Sequence, residues 1–108
     1  MIYPLSDAKS FAFGDITGRD YGVPSSDFTL SHIAIDGAKA RVKNTVSYFV
    51  FHIQSGAGSF EVDRQWFDVK AGDVVYVPKA VPYAYKGKME FLEFMAPAYQ
   101  EGAEVPVE

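Results

Sequence analysis

The sequence predicts an all-β domain, a sandwich or barrel of short strands. Runs rich in β-branched and aromatic residues recur roughly every ten residues, and each is bounded by glycine, proline, aspartate or serine. No segment holds the 3.6-residue apolar period of an amphipathic helix. Aromatic residues make up 16% of the chain, with nine Phe and seven Tyr, types that favour strands and line pockets.

Taken in order, residues 1–27 read as an N-terminal arm. Met1–Leu5 offers a short edge strand in which Pro4 is tolerated, and Asp7-Ala8-Lys9 a turn of helix. Gly14, Gly18, Gly22 and Pro24 punctuate the rest. Phe28–Asp36 (FTLSHIAID) alternates with either face eligible as the inner one: Phe28, Leu30, His32 and Ala34, or Thr29, Ser31, Ile33 and Ile35. A loop over 38–46 leads into Ser47–Gln54 (SYFVFHIQ), the most strand-like segment, which Ser55-Gly56-Ala57-Gly58 ends. Ser59–Asp63 and Trp66–Val69 form a hairpin about Asp63-Arg64-Gln65. Val74–Val77 follows the Gly72-Asp73 turn, and Pro78 and Pro82 make a corner that cannot be helical. Tyr83 and Tyr85 then share one face of a strand that Gly87-Lys88 ends, and Glu90–Met95 is the last strand. The chain divides into the 1–27 arm, a 28–96 barrel core and a 97–108 tail that lies on the surface or on a partner subunit.

A chain of 108 residues is one domain, 1–108. Its net charge of −4 lacks the basic footprint of nucleic-acid binding. The absence of cysteine removes disulfides, thiolate metal sites and cysteine nucleophiles. No signal peptide and no apolar run of about 20 residues is present, so a cytoplasmic protein without a membrane partner is expected. Gly56-Ala57-Gly58 is no phosphate loop, because a strand and not a helix follows it. No Gly-x-Ser-x-Gly elbow is present either.

The glycine and proline spacing resembles that of the cupin superfamily. Gly37 and Gly56, with Gly58 following, match the frame of the first cupin motif, and Gly72 and Pro78 match the second. The resemblance covers about residues 28–96 and implies a double-stranded β-helix, the jelly-roll barrel. It does not bring the metal ligands. The two histidines of the first motif fall on Lys43 and Thr45 and its glutamate on Phe49. The histidine of the second falls on Tyr83, its glycine on Ala80 and its asparagine on Gly87. These replacements are poor ligands for a divalent ion, so no metal and no cofactor is expected.

In that register Lys43, Thr45, Phe49 and Phe51 point inward and Tyr83 and Tyr85 face them, giving an aromatic pocket with one ammonium and several hydroxyls. A sugar-like or carboxylate-bearing ligand fits such a pocket. His32, if it faces the cavity, is a general base beside Tyr83 as acid. Glu93 is a further base, although its alternation with Leu92 and Phe94 favours a solvent-facing position, as Phe60 and Val62 do for Glu61. Three functions stay open: a metal-free small-molecule-binding barrel, a metal-independent sugar isomerase, epimerase or lyase, and a structural barrel packed shut. Exposed strand edges at Met1–Leu5 and the tail point to a homodimer.

Overall fold

The computed structural model describes residues 1–108. A short 3₁₀ turn, Leu5–Asp7, precedes eight strands: β1 (Lys9–Phe13), β2 (Ile16–Asp20), β3 (Thr29–Asn44), β4 (Tyr48–Val62), β5 (Gln65–Lys70), β6 (Val74–Val77), β7 (Tyr83–Ala96) and β8 (Glu104–Pro106). All pairings are antiparallel, in the order β1-β2-β3-β7-β4-β5, with β6 added on β4 and β8 on β3. No helix is long and apolar enough to cross a membrane.

Three long strands, β3, β7 and β4, bend halfway and so belong to two facing sheets. β7 lies between β3 and β4 throughout, whereas the other partner of β3 and of β4 changes along the strand. Ser31–Ile35 of β3 pairs with β2, whereas Val42–Asn44 pairs with β8. Phe49–His52 of β4 pairs with β6, whereas Ala57–Val62 pairs with β5. The Phe51 and Phe60 ring centroids are 5.0 Å apart. Nine residues of straight strand would separate them by about 30 Å, so β4 has turned back on itself.

The bend runs along a row of glycines. Gly37 pairs with Gly87, and Gly87 with Gly58, across β3, β7 and β4. A Cβ on Gly87 would stand 2.6 Å from the Cα of Gly58, and Gly87 holds φ 130°, a value that other residues rarely adopt. The glycines that the sequence reading places at strand ends are therefore bends within strands. β4 runs through 55–58 and β7 through 87–88.

Between the two sheets lies the core: Ile33, Ile35, Phe51, Ile53, Phe60 and Phe91 are each at most 2% exposed. Of the two eligible faces of β3, the one with Thr29, Ser31, Ile33 and Ile35 is inner; His32 and Ala34 are outer. The arm and the tail both join the barrel, through β1 and β2 and through β8. Met1–Pro4 form no strand, and the turn of helix lies at Leu5–Asp7. The corner Pro78–Pro82 forms as expected. Ala80, at the position of a family glycine, keeps the left-handed conformation with φ 65°.

Two β-bulges set which side chains face inward. On β3, Ala40 and Arg41 together oppose Ala84, because Lys39 pairs with Tyr85 and Val42 with Tyr83. The inner positions run Ile33, Ile35, Lys39 before the bulge and Val42, Asn44 after it. A second bulge on β4, between Ile53 and Ser55, shifts the inner set from Phe49, Phe51 and Ile53 to Phe60 and Val62.

Candidate functional site

One cavity of about 500 Å³ opens inside the barrel beyond the packed Phe51–Phe60–Phe91 cluster. Its apolar wall includes Phe13, Ile33, Phe49 and Met95, and the polar groups facing it come from four strands. β3 supplies Ser31, Lys39 and Asn44; β7 supplies Tyr83, Tyr85 and Glu93; β2 supplies Asp20; β8 supplies Glu104. Tyr99, Gln100 and Gly102 close the rim.

Glu104 organises one side. Its carboxylate takes a hydrogen bond of 2.9 Å from the Tyr83 hydroxyl and lies 3.3 Å from Lys39 Nζ. The Lys39 ammonium also stands over the Phe13 ring, 5.3 Å from its centroid. Burial, the neighbouring Glu93 and Glu104 carboxylates and the hydrogen bond to Glu104 hold the Tyr83 phenol well above its ordinary pKa of 10.0. Tyr83 thus stays protonated and donates its hydrogen bond to Glu104. Tyr85 is raised in the same way, by burial first and then by the same two carboxylates.

Glu93 faces this cluster and makes no hydrogen bond or salt bridge within the protein. No buried side-chain polar atom lacks a partner, so the free oxygens of Glu93 are those that reach the cavity. By area the residue is half-buried, but what it shows faces the cavity and not bulk water. Desolvation therefore dominates and lifts its pKa from 4.5 to about 7; Lys39 opposes the rise and Glu104 adds to it.

The expected site residues divide. Phe49, Tyr83, Tyr85 and Glu93 line the cavity. The solvent-facing position expected for Glu93 is corrected. Leu92 and Phe94 belong to an apolar outer face with Phe28 and Tyr48, so their alternation places Glu93 inside. Phe51 is fully buried core below the cavity. Lys43 and Thr45 do not line it, because the β3 bulge moves them out of phase. Lys43 pairs with Val105 at the junction with β8, and the Thr45 hydroxyl donates to the Ala103 carbonyl. His32 lies on the outer face, 3.6 Å from Glu90, with the sheet between it and Tyr83, so no His32–Tyr83 pair forms. Glu61 does point away from the core but is 1% exposed, held by two hydrogen bonds from Arg41. The Phe49 and Tyr83 rings touch at 5.2 Å, yet the barrel is not packed shut.

Asp20, Lys39, Asn44 and Glu104 are among the cavity residues that sequence reasoning missed. Lys39 continues the Ile33, Ile35, Gly37 phase, a signal present in the sequence. Glu104 lay in the tail, where Ala103-Glu104-Val105 is too short a pattern to announce a strand.

The positions that bind metal in cupins do not fit an ion here. Lys43 and Thr45 lie outside the cavity, Phe49 has no donor atom and the Tyr83 phenol is held protonated. No group of three or more His, Asp or Glu side chains is placed to share one. The set that is present, an unpaired carboxyl facing two phenols and an ammonium, is suited to moving protons and donating hydrogen bonds.

Comparison with known structures agrees with this architecture. Streptomyces PAC13 with uridine superimposes with a TM-score of 0.92 at 24% identity, over 99% of this chain and 90% of that one. Pac13 is described as a nucleoside dehydratase. KdgF from Halomonas sp. matches over 94% of this chain and 96% of its own, with a TM-score of 0.82 at 10% identity. The polyketide cyclase RemF from Streptomyces resistomycificus matches over 100% and 85%, with a TM-score of 0.82 at 13% identity. At these identities the likeness is one of fold. A search of curated proteins found no match. The cupin domain model matches residues 35–94, more than half of the chain and including both bends of β4 and β7, and the chain therefore belongs to the cupin family.

Proposed function

We propose that the cavity binds a small hydroxylated ring compound and that the protein eliminates water from it, with Glu93 as the proton carrier. The observation behind this reading is the Glu93 carboxyl, unpaired in a cavity and with a pKa of about 7. A purely structural carboxylate is satisfied by a partner, as Glu61 is by Arg41. A carboxyl that titrates at neutral pH is present in both forms and serves equally to take and to return a proton.

The step is balanced within the site. The C–H bond beside a carbonyl of the substrate breaks and its proton passes to Glu93, while the electron pair forms the new C=C bond. The C–O bond at the next carbon breaks, and the hydroxyl takes the same proton from Glu93 and departs as water. The charge that builds on the carbonyl oxygen meets the Tyr85 hydroxyl, which stays protonated and is given to no acceptor within the protein, while Tyr83, its proton given to Glu104, holds that carboxylate and Lys39 at the wall. Phe49 and Phe13 supply flat apolar walls for a ring. The fold shared with a nucleoside dehydratase supports this reading over isomerisation or binding alone.

The test is turnover of hydroxylated ring aldehydes and ketones, followed by the ultraviolet absorbance of the conjugated product and by the mass of the dehydrated compound. Glu93→Gln is expected to lower kcat by about 10²-fold or more while ligand binding persists. Wild-type turnover that Glu93→Gln leaves intact would remove Glu93 from the chemistry.

A further inference from the structure

We infer that the cavity selects uncharged ligands and turns away their phosphorylated or carboxylated forms. The inference rests on the cavity being the binding site proposed above, and it replaces the carboxylate-bearing ligand that an inward Lys43 had implied.

The charge inventory carries it. Four ionisable side chains line the cavity: Asp20, Glu104 and the partly ionised Glu93 against Lys39 alone. The single cation is already engaged. Its ammonium is 3.3 Å from Glu104 and stands over the Phe13 ring. Other basic groups are turned elsewhere: Arg41 of β3 is paired with Glu61 of β4 on the face away from the cavity, and Lys43 lies outside the lining. An entering phosphate or carboxylate would meet the Glu93 and Asp20 carboxyls with no free cation to receive it. Like charges in van der Waals reach repel appreciably even at an effective dielectric constant of about 20. A hydroxyl meets no such penalty. It finds acceptors on Glu93 and a donor on Tyr85, and the aromatic walls accept the apolar faces of a ring.

The test is a binding panel of hydroxylated ring compounds, each offered as the uncharged parent and as its phosphate ester, including uridine with its 5′-monophosphate and glucose with its 6-phosphate. Thermal shift screens the pairs and calorimetry measures the affinity of those that bind. The stabilising members are expected among the uncharged parents, with each ester at least about tenfold weaker. Glu104→Gln releases Lys39 and is expected to narrow that gap several-fold. Asp20→Asn, a milder change at the rim, narrows it in the same direction should the first variant fail to fold. A phosphate ester that binds wild type as tightly as its parent overturns the inference, as does a panel in which no uncharged parent binds. Glu93-dependent turnover of a phosphorylated compound would overturn this selectivity and leave the proton-transfer reading standing. Preference for uncharged ligands without any turnover does the reverse.

Discussion

Tyr83 and Glu104 lie on strands that do not pair with each other, yet the Tyr83 hydroxyl donates to the Glu104 carboxylate at 2.9 Å. Both strands flank β3, β7 on one edge and β8 on the other, so the two side chains meet across it. Lys39, on β3 itself, completes the contact.

Tyr83→Phe removes the donor and leaves Glu104 with Lys39 alone. One neutral-to-charged hydrogen bond at a cavity wall contributes about 1–3 kcal/mol to stability. We expect a modest fall in the urea midpoint and a fall in kcat of about tenfold or more on any substrate that turns over. A kcat equal to that of wild type would take Tyr83 out of the reaction.

Glu93 makes the folded protein pH-sensitive, and the sign is fixed by its raised pKa. Between about 4.5 and 7 the unfolded chain has released this proton while the folded chain keeps it. Its contribution therefore favours folding below about pH 4.5, declines as pH rises, and stays lost above about 7. Glu93→Gln is expected to be more stable than wild type at pH 8 by on the order of 1–2 kcal/mol, a value reduced for water in the cavity. The difference closes towards pH 4.5. Paired urea titrations at the two pH values measure it, and a gap of equal size at both would contradict the assignment. In turnover, kcat/KM is expected to rise with pH through about 7, where the carboxylate becomes the base.

Gly87→Ala tests the bend. The new methyl would press on the Cα of Gly58 at a backbone conformation that alanine resists. Destabilisation of about 2–4 kcal/mol is expected in denaturant titration. A loss under about 0.5 kcal/mol, the range of ordinary surface substitutions, would mean the sheets do not need this close approach.

Glu61→Ala separates stability from chemistry. Glu61 sits on the face of β4 away from the cavity, and its two hydrogen bonds from Arg41 hold its pKa below 4.5. Its stabilisation is present above about pH 4.5 and is lost as pH falls through the lower folded value. At pH 7 the variant is expected to lose about 1–3 kcal/mol, with kcat/KM unchanged at temperatures where it stays folded. A selective loss of activity would place this pair in communication with the cavity.

The strand composition, the Pro78–Pro82 corner and the glycine frame were legible because each reflects local backbone preference. Phe49, Tyr83 and Tyr85 were legible as cavity residues because simple alternation holds along their stretches. Alternation fails at a bulge, and a bulge is made by a tertiary pairing that local residues do not announce; hence Lys43 and Thr45 were placed inside and Lys39 and Asn44 were not. Glu93 was hidden for another reason. The second half of β7 carries apolar residues on both faces, with Leu92 and Phe94 outside and Phe91 and Met95 inside, so hydrophobicity alone cannot say which way a glutamate between them points.

The extra residue at Ala40–Arg41 has a consequence for how such a cavity changes its chemistry. Drawing the bulge out with no residue lost, so that Ala40 alone opposes Ala84 and Arg41 opposes Tyr83, would restore unbroken alternation beyond Lys39. Every side chain of β3 beyond that point would then exchange faces. Lys43 and Thr45 would turn inward, Asn44 would turn out, and Glu104 would lose its register beside Asn44. A one-residue slip of this ladder, with no change of sequence, would thus give the cavity a second ammonium and take away the carboxylate that restrains the first.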